Sequence, residues 1–510
     1  MPESSATGQT VQTFDHVARQ ASIRFSGLAI DKLLGYVFAL LVAKTFGSTV
    51  FGLYIFGVGL FEITYALTEL GLERSAIRAI AESDAHGKHA EVRAIVRSTL
   101  SLMVPVGAVV ALVGVAFGPL LAELLGRPEL GPFLRIGAIA IPAWLVGEAF
   151  LWATEGLGSQ RYMVTVRLVV EPLVKIAFTL LLYLPFSGAD GATALAIAYA
   201  SAIVISAVLA YVSYRKFVLP RATGEPVGRH AAELLRLGLP VCGLTLLQRA
   251  LQWWDIFLTF TVVSAMATTH YTVAYRTAML TLMISNAFEA AFKPAMAAAL
   301  AQGRREAVRE EFQKVSRTVL MTCLPAIVML TVFPGRIMPV LGDQFIPAAS
   351  ICAVVAFGTL VSMLAGPASS ALTMAGRTRV PFVNGLAAAA IGVTTGLVLV
   401  RRYGALGVAI GQCTSLCLAN IFHSISARRI LGVFGIGRQH ATLALAAAVA
   451  VAAGLGASAI APSNKYAAFA AVGVVVTVAY IATLTIAGVN RDDWRFVRNV
   501  LGLVPGLGRR

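Results

Sequence analysis

The sequence predicts an all-α, polytopic membrane protein of about fourteen spanning helices. Three observations carry this. Only 13% of the 510 residues are charged and 58% are hydrophobic, where a water-soluble chain has roughly 25% charged. Apolar stretches of the length a helix needs to cross a bilayer, about 20 residues, recur from residue 26 to residue 489. Of the 41 lysines and arginines, 29 fall on one side of the resulting map, 7 on the other and 5 inside spans. A string of ordinary soluble domains is excluded, and so is disorder, which needs low hydrophobicity.

Residues 1–25 lack the apolar core and small-residue cleavage site of a secretory signal. They read as a cytoplasmic N-terminus, either frayed or an interfacial helix with Phe14, Val17, Ala21 and Phe25 on one side. Spans are expected near 26–45, 50–72, 98–125, 133–155, 164–186, 192–214, 238–262 and 268–293. Six more follow near 316–340, 345–374, 382–400, 404–426, 440–460 and 466–489. Pro325, Pro334, Pro339, Pro347 and Pro367 punctuate the ninth and tenth. The tail 490–510 is basic and amphipathic, an anchor at anionic lipid or a partner-binding segment.

The one-sided cations follow the positive-inside rule and place both termini in the cytoplasm. The net charge of +16 is thereby mostly orientation. No basic stripe interleaved with aromatics points to nucleic acid. Cys242, Cys323, Cys352, Cys413 and Cys417 sit in apolar stretches without metal-site spacing, so they read as packing residues, and no metal or organic cofactor is expected.

Two segments repeat. ATEGLGSQRYMVTVRLV (153–169), a span and GADGATALAIAYA (188–200) match LTMAGRTRVPFVNGLAA (372–388), a span and YGALGVAIGQ (403–412). The repeat implies a first lobe of six spans at 26–214, a basic linker at 215–236 and a second lobe at 237–430. The last two spans, 440–489, stand apart. Both lobes begin on the same side, so the axis relating them runs along the membrane normal, a transporter architecture with the substrate between the halves.

The motifs AKTFGSTVFGLY (43–54), ELGLERSAIRAIA (69–81), YTVAYRTA (271–278), AGRTR (375–379) and GALGVAIG (404–411) carry a family resemblance. Over residues 20 to about 430 the chain resembles the bacterial polysaccharide flippases (the Wzx-like polysaccharide transporters) of the MOP superfamily, which also holds the MATE drug exporters and lipid II flippases. Gly47-Ser48 stands where that pattern usually has Gly-Pro. The resemblance implies a MATE-like fold and alternating access. It further implies flipping of an undecaprenyl-pyrophosphate-linked oligosaccharide across the bacterial inner membrane for O-antigen or exopolysaccharide biosynthesis. Membrane lipids and a polysaccharide polymerase complex are the expected partners, and the working unit is expected to be a monomer.

An ionisable group at mid-membrane costs about 2.5–3.5 kcal/mol on insertion scales, so each is a functional candidate. Glu171–Lys175 and Glu289–Lys293 have the spacing of local i,i+4 pairs. Glu69 and Glu155 fall at cytoplasmic helix ends, where they are expected to be wet. Asp31 and Lys32 point about 100° apart, a poor geometry for pairing with each other. Gln248, Gln252 and Asp255 form one stripe at i, i+4, i+7, lining a cavity or gluing helices. A diphosphate crossing hydrocarbon needs cations in place of water, and arginine binds phosphate oxygens in a fork. Arg249, Arg276 and Lys32 are the candidate diphosphate ligands. Asp31, Glu62, Glu148 and Asp255 are candidates for coupling to Na+ or H+, with structural pairing as the alternative. Trp253 and Trp254, and also Trp144 and Trp152, are candidates for stacking on sugars or for interfacial belts.

Two competitors are weighed. A MATE-type cation-coupled drug exporter would use Asp31 and Glu62 but has no need of buried arginines. A polytopic glycosyltransferase or polymer ligase needs acid–base residues on an ordered external loop. The longest such loop, near 334–347, has Asp343 as its only acid. No GxxxxGK[ST] phosphate loop occurs, and no enzyme is expected.

Overall fold

A computed structural model describes residues 3–185, 191–223, 230–435, 437 and 439–487. The chain divides into two compact units, residues 1–257 and 258–510. The side chains of Phe14, Val17 and Ala21, and the tail 490–510, lie outside what is described.

The first unit begins with α1 (Glu3–Thr45), α2 (Ser48–Thr68), α3 (Leu72–Ala85), α4 (His89–Leu124) and α5 (Gly131–Gly156). A single turn, α6 (Arg161–Met163), then passes through a π-helical segment, Val164–Val170, into α7 (Glu171–Tyr183). Next come α8 (Gly191–Ser213) and α9 (Ala231–Val262), the latter as far as Phe257. The second unit opens with α10 (Ala265–Ala301), α11 (Arg305–Val332), α12 (Pro334–Leu341), α13 (Ala349–Ala365) and α14 (Ala368–Met374). It closes with α15 (Arg379–Tyr403), α16 (Ala405–Leu431), α17 (Gln439–Ala459) and α18 (Lys465–Ile486). No strand occurs among the described residues.

Among the described residues, twelve helices are long and apolar enough to cross a membrane. They fall on all the expected spans except the fifth and eighth. Those two are helical stretches that carry charge, 161–183 with Arg167, Glu171 and Lys175, and 265–301 with Arg276, Glu289 and Lys293. The third, seventh and eighth helices also outrun the apolar stretches, because a helix continues into water as long as its backbone bonds close on themselves. Of the five prolines, Pro325 and Pro339 lie inside α11 and α12 and Pro347 inside the 3-10 segment 343–348, while the other two mark breaks. α11 ends before Pro334, which takes the first position of α12, and Gly366-Pro367 separates α13 from α14, as expected of a residue without an N–H.

The two turns of the sequence repeat are capped alike, by a pair of hydrogen bonds that also closes α3, α4 and α10. After α5, Gly158 (φ +80°) donates to Glu155 O and Ser159 N–H to Thr154 O; after α14, Gly376 (φ +74°) donates to Thr373 O and Arg377 N–H to Leu372 O. Each is a left-handed glycine cap that closes one helix and starts the next two or three residues later.

Glycine also sets two close crossings. In the first unit a Cβ on Gly71 would lie 2.2 Å from Gly238 O, so the α2–α3 corner meets α9 backbone to backbone. In the second unit Gly392, Gly396, Gly407 and Gly411 bring α15 against α16, and a Cβ on Gly411 would lie 2.6 Å from Gly392 O. The last two helices dock on the same unit. Tyr480 Oη donates to Met321 O at 3.2 Å, Arg336 donates to the hydroxyl and carbonyl of Ser458, and Lys465 pairs with Asp343 at 2.7 Å. Replacing Gly411 by leucine is expected to force α15 and α16 apart and cost about 1–3 kcal/mol. A detergent melting curve checks this, and an unchanged midpoint would contradict the crossing.

Candidate functional site

The interior of the first unit is built around charge. On α2, Glu62, Tyr65 and Glu69 share a face at i, i+3, i+7. From that face Glu62 Oε2 meets Arg249 Nη1 of α9 at 3.1 Å, and Arg249 also donates to Gln252 Oε1 at 3.4 Å. Next along the face, Tyr65 stacks on Trp144 of α5, with ring centroids 4.4 Å apart and 15° between planes.

Beneath that stack lies a buried cluster. Arg167 Nε contacts Glu148 Oε1 at 3.0 Å, its Nη1 contacts Glu171, and its guanidinium lies 4.6 Å from the Trp144 ring centre. Trp144 Nε1–H donates to the same Glu148 oxygen at 3.2 Å. Lys175 stands 3.8 Å from Glu171 and 5.4 Å from the ring centre of Tyr199. The π-helical segment Val164–Val170 carries Arg167, and such widened turns re-aim side chains out of normal helical register. A guanidinium in a low-dielectric interior is tolerable only when its donors are met; here two carboxylates and a ring face do so.

Beside the Glu62–Arg249 pair a cavity of about 230 Å³ is lined by Glu69, Glu73 and Arg74 from the α2–α3 corner and by Gln248, Arg249 and Gln252 from α9. The Arg249 side chain is 35% exposed and that of Glu62 21%. The cavity therefore presents an arginine whose closest carboxylate is a single, partly wet one.

The remaining sequence candidates are dispersed. Lys32 is exposed and, despite the unfavourable angle, bends back to within 3.7 Å of Asp31. Arg276 is partly buried on α10 in the second unit. Asp255 is buried, and its Oδ1 accepts from the Ile256 N–H at 2.8 Å. Trp253 packs where Gly59 has no side chain, and Trp254 is half-buried.

Several expectations are corrected. Arg167, one of the 29 cations counted on the cytoplasmic side, belongs to the interior. Glu171 does pair with Lys175, but Arg167 is its nearer partner. Glu289 feels the charge of Lys293 as expected, and it also accepts from Ser370 Oγ at 3.1 Å across helices. Glu69 and Glu155 are buried, not wet, the latter because Arg24 of α1 folds over it at 3.1 Å. Trp144 and Trp152 are buried core residues and unavailable for sugars. Arg74 and Arg167 went unrecognised among the cations; the i, i+4, i+8 run Arg167, Glu171, Lys175 was the available signal for the second.

A family model described as polysaccharide biosynthesis protein matches residues 17–300, more than half of the chain. The chain belongs to that family. A second model, MatE, matches residues 240–398 of the chain. No curated protein matches it. Among solved structures it is similar to the lipid II flippase MurJ in an inward closed conformation, at 15% identity and TM-score 0.70, covering 91% of this chain and 98% of that one. It is also similar to an inward-facing MATE-family multidrug resistance transporter of the MOP superfamily, at 15% identity and TM-score 0.60, over 81% and 94% of the chains. An outward-facing MATE-family structure matches at 15% identity and TM-score 0.55, over 81% and 96%. The chain is thus a multi-pass membrane protein with the fold shared by the MurJ and MATE structures.

Removing Arg167 strands two buried carboxylates, so Arg167→Leu is expected to cost about 3–5 kcal/mol. Arg167→Lys, which keeps the charge but loses the planar fork, is expected to cost less. Melting of both variants checks this, and a wild-type midpoint for Arg167→Leu would contradict the pairing.

Proposed function

We propose that this protein is a flippase of the bacterial inner membrane. It moves an undecaprenyl-pyrophosphate-linked oligosaccharide from the cytoplasmic to the periplasmic leaflet for surface polysaccharide assembly. Transport proceeds by alternating access coupled to an ion gradient, with both termini in the cytoplasm. The family match supports the glycan context, and the lipid II flippase MurJ shares the fold.

One observation carries the substrate reading. Arg249 faces a polar cavity, flanked by the amides of Gln248 and Gln252, with a single carboxylate, Glu62, in contact with its Nη1. A guanidinium held so loosely is ready to exchange that carboxylate for phosphate oxygens, with which it makes charge-assisted, forked hydrogen bonds. Arg74 on the same cavity wall adds a second cation, while Lys32 and Arg276 remain candidates for later contacts. A drug-exporter reading is favoured by Glu69 and Glu73 on that wall, yet a cationic drug gains nothing from two arginines.

In vesicles reconstituted with the protein and a lipid-diphosphate oligosaccharide, protein-dependent flipping is expected. Arg249→Ala loses a charge-assisted contact of about 1.5–3 kcal/mol, so flipping is expected to slow at least about tenfold while insertion is normal. Wild-type rates in Arg249→Ala would contradict the assignment, and absence of any flipping would favour the exporter reading.

A further inference from the structure

The first unit places three cations against three carboxylates in one cluster. Arg249 holds Glu62, Arg167 holds both Glu148 and Glu171, and Lys175 adjoins Glu171. The set is charge-balanced as it stands. An anion that takes Arg249 removes the nearest positive charge from Glu62. Arg167 lies within electrostatic reach of Glu62, but its donors already face two carboxylates and its flat face covers Trp144. From α8, the ring hydroxyl of Tyr199 also feels Glu62 but brings no positive charge. Lys175 is shared with Glu171 and, more distantly, with Asp31. From the α2–α3 corner, Glu69 and Glu73 set two negative charges against the single positive charge of Arg74 on the cavity wall. A carboxylate left in that setting has lost the one cation in direct contact with it, and a proton is the cheapest remedy. Glu62, 21% exposed, is open to water, while the side chains of Glu148 and Glu171 are 8% and 9% exposed.

We infer that Glu62 is a substrate-linked proton acceptor: when a diphosphate takes Arg249, Glu62 binds a proton from bulk water, so anion and proton occupy the site together. The inference rests on the diphosphate reading above. Linkage is reciprocal, so diphosphate affinity rises as pH falls. A site in which proton and substrate compete has the opposite sign.

The test titrates the purified full-length protein in lipid nanodiscs with farnesyl diphosphate, in weak buffer with a pH-indicator dye, while calorimetry records binding. Wild type is expected to take up close to one more proton per bound ligand than Glu62→Gln, and its Kd to weaken by up to about tenfold per pH unit on raising the pH. Glu62→Gln is expected to bind at least as tightly, and the ligand's own titration cancels in the difference. Glu148→Gln is expected to keep the uptake. If Glu62→Gln does not fold, wild-type uptake is set against the ligand's own titration. Binding without excess uptake, or uptake that survives in Glu62→Gln, overturns the inference and leaves the substrate reading intact. A wild-type protein that does not bind the diphosphate takes both down.

Discussion

The pairing of Arg167 with Glu148 and Glu171 constrains everything else in the first unit. Three helical elements contribute to it: α5 supplies Glu148 and Trp144, the π-helical segment supplies Arg167, and α7 supplies Glu171 and Lys175. A buried ion pair adds little net stability, because desolvation consumes most of the Coulomb gain, yet breaking one is costly. Such a cluster therefore fixes a geometry more than it deepens a minimum. Tyr65, stacked on Trp144, carries that geometry onto α2 and so sets where Glu62 stands. The contrast with Arg249 is the functional point. One arginine is saturated and enclosed; the other has a single partly exposed carboxylate and opens onto a cavity.

Much of this was legible in the sequence. Spacing and hydropathy located the spans, and the glycine turns after Thr154 and Leu372 are the helix caps their sequence announced. Glu62, Arg249, Gln248 and Gln252 stood out because ionisable and amide groups are rare within apolar helices. Arg167 was hidden by a boundary. It lies three residues into the expected fifth span, beside Arg161, and cations near helix starts ordinarily belong to loops. Glu155 was misread for a related reason. Its cover is Arg24, 131 residues away, and no local pattern encodes that contact. Wet and buried look alike in one dimension.

The fold itself does not choose the cargo. A lipid II flippase and MATE-family multidrug transporters share it with this chain at 15% identity, and one architecture hosting several substrates is ordinary. The choice lies in which charges face the cavity, where Arg74 and Arg249 stand beside Glu69 and Glu73, and the proposed anionic substrate rests on the two arginines. Family membership supplies the polysaccharide context of that proposal.

The most direct measurement of that claim is binding to the purified protein of two probes side by side, a prenyl diphosphate and a lipophilic cation of similar size. Saturable binding of the diphosphate, lost in Arg249→Ala, with no saturable binding of the cation, is the expected result. Saturable binding of the cation together with indifference to the diphosphate would contradict the account.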